Sequence, residues 1–149
     1  GLRWIADHAQ HWPRVLDYGC GSGILAIGAA LHGARDIDAV DIDPAAVEAT
    51  HANALANGVG VNTGVPDRAS GVYALVLANI LAKPLTLLAP LLAAHVAPGG
   101  HLVLAGLLER QIVELRDAYA PWLALAVHDR EEGWVLMVGQ RAVSTAAAP

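Results

Sequence analysis

Val15-Leu16-Asp17-Tyr18-Gly19-Cys20-Gly21-Ser22-Gly23-Ile24-Leu25-Ala26-Ile27 decides how this chain is read. A short apolar run ends in a carboxylate, three glycines alternate with other residues, and a second apolar run follows. The pattern predicts a strand, a tight turn and a helix. Glycine carries no Cβ and takes positive φ at little cost, so such a turn lets the backbone approach a ligand closely. In doubly wound α/β sheets, ligands bind beyond the carboxyl ends of the strands, where the strand order reverses. The turn therefore reads as a nucleotide-type cofactor site.

The spacing narrows the cofactor. The dinucleotide fingerprint is G-x-G-x-x-G, whereas this turn is G-x-G-x-G, with Ile24 where the dinucleotide pattern has its third glycine. Asp17 closes the first strand two residues before Gly19. A carboxylate there suits a cofactor with a positive ammonium rather than one with a pyrophosphate, and S-adenosylmethionine has a methionine ammonium and no phosphate. A second strand, Asp36–Asp41, follows the helix, and Asp41 lies 18 residues after Gly23. An acid at that strand end, about 20 residues past the turn, can accept both ribose hydroxyls. Ile42 next to it offers an apolar face to an adenine. Asp43 and Pro44 read as N-cap and first residue of the following helix. A dinucleotide site or a purely structural glycine turn stays open at this point.

The composition sets bounds. The chain has 149 residues, 55% of them hydrophobic, with no Phe, so the core must be Leu, Val, Ile and Ala. A single domain of this size buries about 70% of its unfolded surface and needs no disulfides. The lone cysteine, Cys20, excludes a disulfide framework and a cysteine metal site, and a reducing, cytoplasmic setting is the expectation. Leu85–Val96 is too short for a membrane span and carries Pro90 and His95. The net charge of −5 comes without a basic stripe or aromatic platform, so no direct nucleic-acid partner is expected. The seven histidines are scattered without ligand spacing, and no metal is expected. Trp4, Trp12, Trp122 and Trp134 show no stacking pattern and read as core or hairpin packing.

In order, Leu2, Ile5, Ala6 and Ala9 have helical spacing. Arg14–Tyr18 is the first strand and Gly23–His32 the first long helix, closed by Gly33; the helix after Asp43 runs to Asn57 and stops at Gly58. Val59–Thr63 is a weak third strand and Val72–Ala78 an apolar fourth, ending at Asn79. A helix over Leu85–Val96, a Pro98-Gly99-Gly100 turn, a strand over His101–Leu107 and a helix over Glu109–Tyr119 follow. Trp122–Val127 and Trp134–Gly139 pair around a charged turn. Residues 1–141 form one domain, and Ala142–Pro149 is expected to be a disordered tail. Strand–helix alternation closing on a hairpin argues a mostly parallel sheet with one antiparallel strand near the edge.

These motifs together resemble a known family. The glycine turn resembles the first motif of Rossmann-like methyltransferases. With Val40-Asp41-Ile42-Asp43-Pro44, Ala78-Asn79-Ile80-Leu81-Ala82, Pro98-Gly99-Gly100, Leu107-Leu108-Glu109-Arg110-Gln111 and Gly133-Trp134-Val135-Leu136, the chain is similar over nearly its whole length to the catalytic domain of the bacterial methyltransferases of large-subunit ribosomal protein eleven (PrmA). The resemblance implies a Rossmann-like class I methyltransferase fold, a seven-stranded, mostly parallel sheet with one antiparallel strand and helices on both faces. It implies methyl transfer from S-adenosylmethionine to the N-terminal α-amine and lysine side chains of that ribosomal protein. By position, Asp17, Gly19, Gly21 and Gly23 line the methionine end, Asp41 and Ile42 hold ribose and adenine, and Asp67 touches the adenine edge. Asn79 belongs to the cofactor-binding set as well and stands nearest the transferring methyl.

Asn79 can accept a hydrogen bond from an amine and orient its lone pair, but it cannot act as a general base. It could also cap the helix from Ile80 onward. The family has an N-terminal recognition domain and a Thr-rich segment ahead of the first helix, and neither lies in these 149 residues; the chain is expected to be picked up partway through. A small-molecule methyltransferase, or a cofactor-binding fragment inactive without its recognition domain, remains an alternative.

Overall fold

A computed structural model describes residues 2–8 and 12–143. Seven strands form one sheet: β1 (Arg14–Tyr18), β2 (Asp36–Val40), β3 (Asn62–Gly64), β4 (Tyr73–Asn79), β5 (Val96–Leu108), β6 (Ala124–Glu131) and β7 (Trp134–Gln140). Their order is β3-β2-β1-β4-β5-β7-β6. The strands β1 to β5 are parallel, and β7 runs antiparallel to both of its neighbours, so it alone is reversed. From β1 the chain builds first toward β3 and then, through β4, toward β5. The order therefore reverses between β1 and β4, and a crevice opens beyond their carboxyl ends.

Alternation along the central strands divides the core. Leu16, Val76, Ala78, Leu102 and Leu104 face one layer, with Leu85, Leu92, Leu115 and Tyr119. These come from α4 (Ala82–Leu87), α5 (Ala89–His95) and α6 (Ile112–Tyr119). Val15, Leu75, Leu77 and Val103 face the other layer, against α1 (Leu2–His8) and α2 (Ile24–Leu31). Helix α3 (Pro44–Ala56) lies beside α2 along β2 and β3. Its N-terminus is built as expected: the Asp43 carboxylate accepts from Ala45 N at 3.0 Å and Pro44 opens the helix.

Several elements differ from expectation. The helix expected over Leu85–Val96 is two helices, α4 and α5, meeting at Leu88. Pro90 cannot donate to the carbonyl four residues back, and its ring crowds that carbonyl. Strand β3 lies at Asn62–Gly64, later than Val59–Thr63. Pro98-Gly99-Gly100, expected as a turn, falls inside β5, because Gly99 N donates to Arg141 O and Arg141 N to Gly100 O, both at 2.9 Å. Trp122 and Leu123 do not start β6: their N–H groups bond Tyr119 O at 3.0 Å and finish the preceding turn. The charged residues Asp129–Glu131 pair with β7 instead of forming the loop, which leaves Glu132 and Gly133, both at positive φ, as a two-residue hairpin turn. Ala9, His11 and the tail beyond Val143 lie outside the described residues.

Two of the four tryptophans, Trp4 and Trp12, do stack. Trp4, 3% exposed, lies parallel to His8 with ring centroids 4.3 Å apart and edge-on to Trp12 at 5.2 Å; Trp12 in turn stacks on His101 at 5.6 Å. The Trp4–His8 pair, four apart on α1, was within reach of sequence spacing; the Trp12–His101 stack was not, because β5 supplies His101 from far along the chain.

A polar network anchors the segment between β3 and β4. The buried Tyr73 hydroxyl donates to Asp38 Oδ2 at 2.6 Å and accepts from Ser70 N at 3.1 Å. Asn62 Nδ2 donates to Asp38 Oδ1 at 3.2 Å, and the Arg14 guanidinium lies 4.1 Å over the Tyr73 ring. Removing the hydroxyl leaves a buried carboxylate and an amide short of a partner. Tyr73→Phe should therefore lose about 1–2 kcal/mol of stability, read as a lower urea midpoint; an unchanged midpoint would show that the network is dispensable.

Candidate functional site

The turn from Tyr18 to Gly23 is built by cross-bracing from three elements. The N–H groups of Gly19 and Cys20 both bond Val40 O, at 2.8 and 3.0 Å, tying the turn to the end of β2. Asp41 Oδ2 accepts from Gly21 N at 3.0 Å, and its Oδ1 accepts from Asp43 N at 2.9 Å. From α3, the Thr50 hydroxyl donates to Gly21 O at 2.9 Å and Asn53 Nδ2 to Ser22 O at 2.9 Å. Gly23 lets α3 come this close. Its φ is +87°, and a Cβ there would lie 2.7 Å from Thr50 Cγ2.

Asp17 lies beneath the turn, 1% exposed. Its Oδ2 accepts from Ala26 N at 3.1 Å, in the first turn of α2. Its Oδ1 has no hydrogen-bond partner, and among the described residues no other buried side-chain oxygen or nitrogen is so placed. Burial pushes this carboxyl up to about 7; the Ala26 bond opposes the rise and the nearby Asp41 carboxylate adds to it. An unmet buried carboxylate oxygen is costly, and a cation brought to the turn would relieve that cost. The Cys20 thiol, pushed up to about 11 mainly by burial, is not a nucleophile at neutral pH.

Above the turn, at the β1/β4 reversal, a cavity of about 580 Å³ is lined by Tyr18, Gly19, Asp41 and Ile42 on one side. Ile80, Leu81, Pro84, Leu87 and Leu88 form the other. Its size and largely apolar wall, with one carboxylate at the rim, suit a nucleoside. Ile42 is 81% exposed, an apolar side chain that a flat ring could cover.

The structure thus gathers Gly19, Asp41 and Ile42 around one cavity; Asp17, next in the chain to Tyr18 of its wall, is buried against the start of α2 and is not itself part of the wall. Gly21 and Gly23 belong to the same turn but not to the cavity wall. Asp67 sits on an exposed 3₁₀ turn, Pro66–Arg68, outside the wall. It is near enough to Tyr18 to add to the burial that raises the phenol's pKa. Asn79 is exposed at the end of β4, beside the cavity. It does not cap α4, whose N-cap position is Leu81. Sequence reasoning missed Thr50 and Asn53. Their signal was two polar residues three apart on an otherwise Ala-rich helix, one face of which had to meet the turn.

Comparison with known proteins is consistent along the chain. A family model described as ribosomal protein L11 methyltransferase (PrmA) matches residues 1–142. The ribosomal protein L11 methyltransferase of Polaromonas sp. (strain JS666) is 67% identical over 139 residues, covering 91% of this chain and 47% of the relative. The chain thus spans about half the length of the curated relatives it matches. The crystal structure of ribosomal protein L11 methylase from Lactobacillus delbrueckii subsp. bulgaricus superposes with a TM-score of 0.83 at 30% identity, covering 95% of this chain and 77% of that one. Magnesium protoporphyrin IX methyltransferase from Synechocystis, solved with bound SAM, shares the fold at a TM-score of 0.74 and 18% identity, covering 95% of this chain and 76% of that one.

Asp17 gives the site a pH signature. Its carboxyl binds a proton more tightly folded than unfolded, so its contribution to stability is full below the unfolded value near 3.8 and is lost as pH rises through about 7. Asp17→Asn keeps the shape without the charge. The variant should gain stability relative to wild type between pH 4 and 7, on the order of a few kcal/mol, read from urea midpoints. A difference that does not change with pH would contradict a buried, titrating Asp17.

Proposed function

The chain belongs to the ribosomal protein L11 methyltransferase (PrmA) family, and from that membership and the cavity we propose that residues 1–141 form the S-adenosylmethionine-binding catalytic domain of a protein N-methyltransferase. Its acceptors are amino groups, the N-terminal α-amine and lysine side chains, of a large-subunit ribosomal protein. The setting is the cytoplasm, and no direct nucleic-acid or membrane partner is part of this reading. Among the described residues no helix is long and apolar enough to cross a membrane. The observation that carries the reading is Asp17: a buried carboxylate with one unmet oxygen precedes Tyr18 and Gly19, which line a nucleoside-sized cavity.

Asp41 would hold the ribose. Each of its oxygens already accepts one backbone N–H, and each carboxylate oxygen keeps a second lone pair for a hydroxyl. The backbone bonds fix the carboxylate in advance, so little order is lost when the hydroxyls bind. Ile42 would cover one face of the adenine, with Asp67 at its edge. Gly21, where a Cβ would meet nothing within 4 Å, would leave room for the methionine end beside Gly19 of the cavity wall, Gly23 would keep the turn's shape by admitting Thr50, and Asp17 would balance the ammonium. When bound, the cofactor supplies a methyl already activated by its sulfonium. The protein's task is then to bring a neutral amine in line with that methyl. Asn79, beside the cavity, would accept an N–H from the amine through its side-chain oxygen and aim the lone pair.

Two substitutions separate binding from transfer. Asp41→Ala should weaken S-adenosylhomocysteine binding at least about tenfold, near 1.4 kcal/mol, by calorimetry; unaltered affinity would leave Asp41 a purely structural brace. Asn79→Ala should spare that affinity more than turnover, lowering turnover on the purified ribosomal protein, assayed with the full-length enzyme, by about tenfold or more. Turnover that survives would remove Asn79 from the reaction.

A further inference from the structure

The carboxyl end of β5 carries a bulge whose purpose is not evident from packing. Pairing with β7 runs to Leu104↔Met137 and resumes at Leu107↔Val135, so Ala105 and Gly106 together oppose Leu136. On the other edge of β5, Ala105 is the register partner of Asn79, the last residue of β4. An extra residue in one strand re-aims what lies beside it, and such bulges concentrate next to active sites.

Gly106 occupies the bulge at φ +77°. A Cβ at this position would lie 2.6 Å from Asn79 Oδ1 and 4.0 Å from Ile80 O. The amide oxygen of Asn79 thus rests in the space a side chain at 106 would fill. Other left-handed glycines show that this is not general: Gly133, at φ +85° in the hairpin turn, has nothing within 4 Å of its missing Cβ. Gly106 itself is not part of the cavity wall.

We infer that Gly106 is a positioning residue for methyl transfer: the β5 bulge and its bare α-carbon form the seat that fixes the Asn79 side-chain oxygen toward the acceptor amine. The inference rests on the reading of Asn79 given above. A side chain at 106 displaces that oxygen and leaves the cofactor cavity as it is. Substitution should therefore separate turnover from cofactor binding, which a general loss of packing would not do.

The test uses the full chain with its ribosomal protein substrate. Gly106→Ala and Gly106→Asn are compared with Gly133→Ala, which meets the same left-handed backbone without a collision. Asn enters that backbone region more readily than most residues, so Gly106→Asn keeps the test usable if Gly106→Ala folds poorly. Either folded variant should lose about tenfold or more in kcat with cofactor affinity unchanged, and Gly133→Ala should turn over as wild type. In an Asn79→Ala background, Gly106→Ala should cause no further loss of kcat. That double variant should also regain thermal stability that Gly106→Ala alone loses. Wild-type kcat in a folded 106 variant, losses that multiply in the double variant, or a double variant no more stable than Gly106→Ala would each overturn the inference. Should Asn79→Ala alone keep its turnover, the fault lies in the reading of Asn79, and the role of Gly106 falls with it.

Discussion

A carboxylate buried under a bare-backbone turn is the constraint on which the rest of this molecule depends. Asp17 is the penultimate residue of β1, where the strand order reverses, and it points to the α2 side of the sheet, where it accepts from the start of that helix. One oxygen holds the helix there and the other meets no donor. Burying an ionised group without full pairing is expensive, so the group is left protonated near neutrality or waits for a positive charge. Protonation meets that demand in part, and a cation at the turn would meet it more fully. The unmet oxygen thus points to a cationic ligand and gives the glycine turn a chemical direction.

The same turn is held from every side by groups that have other work to do. Asp41 braces Gly21 and stands at the rim of the cavity, and Val40 O accepts two N–H groups from the turn. Thr50 and Asn53 fasten it from α3. Because β2, α3 and the turn share these bonds, movement of one strand tip displaces the others. On the reading proposed above, the end of β4 serves both sides: Ile80 and Leu81 wall the cavity, while Asn79, against the bulge in β5, faces the acceptor.

Much of this was legible in the residues. The alternating apolar strands, the Asp43-Pro44 helix start and the acids at two adjacent strand ends are local signals, and local chemistry decides them. A mostly parallel sheet with one antiparallel strand near its edge followed from alternation and the closing hairpin. What was not legible depended on contacts distant in sequence. Pro90 was visible, yet whether it kinks or splits a helix depends on what α4 and α5 pack against. The strand character of Pro98-Gly99-Gly100 comes from Arg141, some forty residues on. The seat of Asn79 on Gly106 needed the β4/β5 register. A lone glycine in an apolar strand is the one sequence cue that a bulge was there. The burial of Asp17 was the largest gap, since a strand-end carboxylate reads equally well as facing the crevice or lying under it.

The most direct test is the proton count on binding. S-adenosylhomocysteine, which retains the ammonium, is titrated into the protein at pH 6 by calorimetry, in two buffers of different ionisation enthalpy. If the ammonium answers the buried carboxyl, Asp17 ionises as the complex forms, and a net proton is released that Asp17→Asn abolishes. Binding with no proton exchange, or with the same exchange in Asp17→Asn, would contradict the account at its foundation.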